Sequence, residues 1–102
     1  MSVIDARRAG QDILAPLHYA SLEEAGLSML FLSSLSKLSE YKNDEQRFER
    51  KYASDFESFS SRVSGETGRE SFEEEDDWMA WKYAHEARIY WQKKVEELDR
   101  CF

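Results

Sequence analysis

Five carboxylates run without a break in 71-SFEEEDDWMAW-81, from Glu73 to Asp77, and two tryptophans follow at once. Carboxylates at that density could hold a divalent cation or divide acid and base roles between them. Calcium loops, however, alternate their ligands around a central glycine. This run is contiguous, and on a helix it would fan around more than half a turn. Neither His18 nor His85 stands three or four residues from a glutamate or cysteine that would complete a cluster. Asp77, Trp81 and His85 would share one helix face, but one carboxylate and one histidine are too few ligands for a metal. His85 in 82-KYAHEAR-88 reads instead as a helix-face residue near Glu86 and Arg88. Cys101 is the sole cysteine, has no obvious base beside it and cannot close an internal disulfide. With no glycine-rich phosphate loop either, the expectation is a non-enzymatic chain with no metal and no cofactor.

The elements that must position these residues are helical. The chain is 41% hydrophobic and 34% charged with only four glycines and one proline, a composition poor in turns and rich in helix formers. Three stretches, 21-SLEE-24, 54-SDFE-57 and 71-SFEE-74, place a serine three residues before a glutamate. In that capping box the serine oxygen accepts the third helical N–H and the glutamate reaches back to the serine's own N–H. From residue 22 to 52, Leu27, Phe31, Leu35, Leu38, Tyr41, Phe48 and Tyr52 form one stripe at helical spacing. A rod that long would measure about 45 Å. That predicts either a break near residues 33–36 or a second chain alongside. A short helix over 55–63 presents Phe56, Phe59 and Val63, and 64-SGETG-68 turns the chain. Residues 72–99 carry Trp78, Trp81, Ala84, Arg88, Trp91, Val95 and Leu98 at steps of three and four, widened by Tyr83, Ala87 and Tyr90. The first 20 residues hold one weak amphipathic stretch and read as a short helix or an irregular arm. The expected fold is all-α, a single small domain over 1–102. A long helix, continuous or broken near residues 33–36, a short helix and an aromatic C-terminal helix make a hairpin or bundle, as a dimer.

Charge narrows the function. Residues 53–77 hold nine acids against Arg62 and Arg69, which accounts for the whole net charge of −7. Such a balance opposes a phosphate-tracking nucleic-acid binder, and the arm offers only the basic pair Arg7–Arg8. It suits a basic protein partner. A helix dipole absorbs two or three acids at the first turn of 72–99, not the whole excess. Tryptophans at helical spacing are more often core than ligand box, yet this helix carries more aromatics than a three-helix domain can bury inside. The candidates for a partner surface are therefore Glu73, Glu74, Glu75, Asp76, Asp77, Trp78, Trp81, Tyr90 and Trp91. Leu27, Phe31, Leu35 and Leu38 are the candidates for self-association, the alternative role being a self-associating structural or adaptor protein. The most apolar window, 25-AGLSMLFLSSLSKL-38, is too short and serine-rich to span a bilayer, and 1-MSVIDARRAG-10 lacks the apolar stretch of a signal peptide. A soluble, cytoplasmic chain is expected.

Residues 37–98 resemble small antitoxin-like proteins of type II toxin–antitoxin pairs. In that group a Lys-Tyr-Gly-Met-x-x-x-x-Phe segment precedes an acidic, tryptophan-bearing C-terminal helix. The resemblance rests on Lys51, Tyr52, Phe56 and Phe59 in 51-KYASDFESF-59, and on Asp76, Asp77 and Trp81 at the next helix start. Ala53 and Ser54 stand where the group has Gly-Met. The resemblance implies acidic helices that cover a basic toxin, often a ribonuclease-like enzyme.

Overall fold

A computed structural model describes residues 2–65 and 72–100. It is all-α: α1 (Val3–Ile13), α2 (Leu22–Tyr52), α3 (Phe56–Gly65) and α4 (Phe72–Asp99). Ser21 accepts the Glu24 N–H at 3.0 Å, while the Glu24 carboxylate reaches one residue further back, to the Ala20 N–H at 2.8 Å. At α3 the cap is Asp55 rather than Ser54, since the Asp55 carboxylate accepts the Ser58 N–H at 2.7 Å. Ser54 turns its hydroxyl onto the Asp55 carbonyl instead. The third capping box begins at Ser71, which lies outside the described residues.

No break interrupts α2. Its 31 residues form one continuous helix through residues 33–36. Serines there do not compete with the helix: the buried Ser34 hydroxyl donates to the Leu30 carbonyl at 2.7 Å, within its own helix. The helix ends instead at Ala53, which takes the left-handed conformation (φ 48°, ψ 45°) and sends its N–H to the Glu49 carbonyl. A β-carbon there costs about 1 kcal/mol that glycine would not. Ala53→Gly should therefore raise the unfolding free energy by about 0.5–1 kcal/mol in urea melts. A fall in stability would contradict the strain at this cap.

From that bend α4 returns antiparallel along α2, and α3 packs on α4. The core lies at the bend, where Phe48, Phe59, Val63 and Trp81 are buried with Tyr52, Phe56 and Trp78 against them. Trp81 is 0% exposed, stacked on Phe48 at 5.6 Å and on Phe59 at 5.2 Å between ring centroids. Leu38, expected at a self-association surface, is buried within the chain on the inner side of α2. Leu27 and Phe31 are half-buried and Leu35 is exposed. The arm forms a regular helix, α1, capped by Ser2 and with no buried residue. The molecule measures 61 × 31 × 18 Å, with a radius of gyration of 20.4 Å. A compact domain of this length would give about 13 Å. Few side chains can be fully enclosed in so elongated a hairpin, so the core is concentrated on Trp81.

Candidate functional site

The acidic run divides into two groups by helix face. Glu73 and Asp77 turn inward, and the Lys51 ammonium bridges them at 2.6 and 2.7 Å. The Tyr52 hydroxyl donates to the same Asp77 carboxylate. Burial alone would raise the Asp77 carboxyl, but the bonds from Lys51 and Tyr52 outweigh it and hold Asp77 below the usual carboxylate range. Burial and the bond to Asp77 push the Tyr52 phenol up to about 12. Glu74 meets Arg62 of α3 at 3.4 Å, and the Trp78 indole donates to Ser60 at 3.0 Å. Three of the five acids thus clamp the start of α4 to the α2–α3 bend.

Glu75 and Asp76 face the other way, both exposed. Around them stand Phe72, 89% exposed, and the exposed Met79, Tyr83 and Tyr90. Phe72, Asp76, Met79, Tyr83 and Tyr90 follow one another by four, three, four and seven residues, which makes one stripe roughly opposite Trp81. Tyr83 leans edge-on against Tyr41 of α2 at 5.9 Å, and the Lys94 ammonium lies over the Tyr90 ring at 5.6 Å. The outward face of α4 is therefore apolar along its middle and acidic near its start.

Several sequence candidates are reassigned. Trp81 offers nothing to a partner, because it is enclosed by the core. Trp78 and Trp91 are half-buried, and of the aromatic candidates only Tyr90 stands exposed. Phe72, Met79 and Tyr83 belong to the outward face and were not among the candidates. Their four- and three-residue spacing carried the signal, but the tryptophan stripe on the opposite side carried a stronger one.

A second cluster sits between α2 and α4. Glu45, 4% exposed, accepts from the Trp81 indole at 2.9 Å, from His85 Nδ1 at 3.1 Å and from Arg88 Nε. The His85 ring stacks on Phe56 at 4.5 Å, with its Nε2 3.7 Å from Glu57. His85 thus meets carboxylates across helices, not Glu86 beside it in sequence. Burial works to raise the Glu45 carboxyl, but the donors Arg88, Trp81 and His85 together hold it below its ordinary value. A carboxylate so filled with donors is a poor base. Its work is to fix the register of α4 on α2. The cluster floors a cleft of about 420 Å³ whose rim includes Lys42, Glu49, Asp55 and Glu57. Among the described residues no group of three His, Cys, Asp or Glu could hold a metal ion, and no helix is long and apolar enough to cross a membrane. Set against known proteins, the chain matches no family model, no curated protein and no solved structure.

Proposed function

We propose that the chain is an antitoxin-like interaction module that lays the outward face of α4 over a basic surface of a protein partner, such as a ribonuclease-like toxin. The observation that carries this reading is the exposure of Glu75 and Asp76 beside Phe72, Met79, Tyr83 and Tyr90. Exposed large side chains with acids gathered at one end suit a binding face: the apolar centre supplies affinity, and the acids speed and orient the encounter. The inward acids support the same reading. By clamping α4 to the bend they hold the outward face rigid, which lowers the ordering cost of binding. Among the described residues, Asp55, Glu57 and the acids from Glu73 to Asp77 give this end of the molecule an acidic field.

The test is co-expression with a small basic protein encoded beside the chain. Co-purification at low salt, weakening as salt is added, is the expected result. If the chain elutes alone and leaves its neighbour toxic, the reading fails.

A further inference from the structure

Far from the acidic end, the stretch that leads into and opens α2 is nearly free of charge. Between residues 13 and 36 the only charged side chains are Glu23 and Glu24. Glu24 is occupied in the cap of α2. Met29 is 61% exposed, Leu32 58%, and Leu30, Leu35, Leu22 and Leu17 are exposed with them. Met29 and Leu32 sit on the side of α2 away from the buried Ser34 and Leu38, so α4 cannot cover them. Counting 22 residues along each helix from the Lys51–Asp77 bridge sets Asp99, the last residue of α4, opposite Met29. The first turns of α2, residues 22–28, project beyond it.

Beside those turns lies α1, whose Val3, Ala6, Gly10 and Ile13 repeat at three- and four-residue spacing, with Leu17 in the turn that follows. None of α1 is buried. A helix of 11 residues is marginal on its own, so a stripe of this kind needs cover to hold it. Its Gly10 faces Leu22, where a β-carbon would come within 3.5 Å of the leucine side chain. The apolar side of α1 and the uncovered side of α2 thus meet at one end of the molecule.

We infer that this end is the seat of a second copy of the chain, in a two-fold dimer built from α1 and the first half of α2. The charge pattern selects that occupant. Each copy carries −7, so two copies can meet closely only where neither is charged, and residues 13–36 are that place. A basic partner would be matched by an excess of acids here, and an acidic one by an excess of bases; the α2 part of the surface has almost none of either, and in α1 Asp5 and Asp12 balance Arg7 and Arg8. A neutral apolar surface is complementary to itself, as an isologous contact requires. The same dimer holds the two acidic α4 faces at the far ends, free for their partners.

Sedimentation velocity of the full chain at micromolar concentration tests this. The expected species has twice the 12.0 kDa chain mass, and it persists or strengthens as salt screens the repulsion between copies. Leu32→Glu and Met29→Glu should each convert it to a monomer with unchanged helical circular dichroism, while Ile89→Glu, an exposed site on α4, should leave the dimer intact. A monomeric wild type overturns the inference, and so does a dimer indifferent to both α2 substitutions. It falls equally if the chain is monomeric and Leu32→Glu abolishes capture of the basic protein instead, since the surface then belongs to that partner.

Discussion

Trp81→Ala should lower the unfolding free energy by about 3–5 kcal/mol, the range for emptying a large aromatic site in a packed core. Four rings enclose that side chain: Phe48, Tyr52, Phe56 and Phe59. Its indole N–H also satisfies one acceptor position of the buried Glu45. A compact domain could relax around the void, but among the described residues this hairpin has no second core cluster to draw on. Native stabilities lie at about 5–15 kcal/mol, so the loss is a large part of the total. Urea denaturation checks it, with Tyr90→Ala as the comparison. Tyr90 is exposed on the outward face, and its removal should change stability by less than about 0.5 kcal/mol. A Trp81→Ala protein as stable as Tyr90→Ala would mean that the core is not where the aromatic stacking places it.

Glu45→Ala is expected to cost about 3 kcal/mol, because it strands three donors at once. Trp81 Nε1 is buried and would lose its acceptor altogether. Arg88 is 31% exposed and regains some water, which keeps the cost at the lower end of the range for a broken buried pair. The sign of the pH dependence follows from the lowered carboxyl. Such a group contributes fully above its unfolded pKa, and the contribution is lost as pH falls through the lower folded value. The advantage of the wild type over Glu45→Gln should therefore not fall between neutrality and about pH 5 and should shrink below it. An advantage that keeps growing below about pH 4, where the unfolded carboxyl takes up its proton, would contradict the ionised, donor-filled Glu45.

Most of the fold was legible in the residues. The capping serine at Ser21 marked the start of α2, and the apolar repeat of residues 72–99 matched α4 from Phe72 to Asp99. Local signals of this kind act within a few residues, which is why they read well. The continuity of α2 did not, because serine at residues 33–36 looks like a turn former until its hydroxyl is seen bonding back to Leu30. The Glu45 cluster was half visible. Leu38, Tyr41, Phe48 and Tyr52 form a seam with an acid, Glu45, where the next apolar residue belongs, and Arg88 interrupts the facing seam in the same way. Each interruption alone resembles a solvated charge; only the pairing of α2 with α4 brings them together. The same limit hid the division of the acidic run. Which acids turn inward depends on Lys51, Tyr52 and Arg62, which lie 12 to 26 residues away in sequence.

The proposed partner-covering face is tested most directly by the double variant Glu75→Lys/Asp76→Lys, measured for affinity to a small basic protein that co-purifies with the chain. Neither residue has an ion pair with a described residue, so helical content should match the wild type, and stability should fall only by what reversed charges near the N-terminus of α4 cost, about 0.3–1 kcal/mol each. Affinity at low salt should fall by at least about tenfold, with the salt dependence reduced. Unchanged affinity in a normally folded double variant would contradict the assignment of this face to a basic partner.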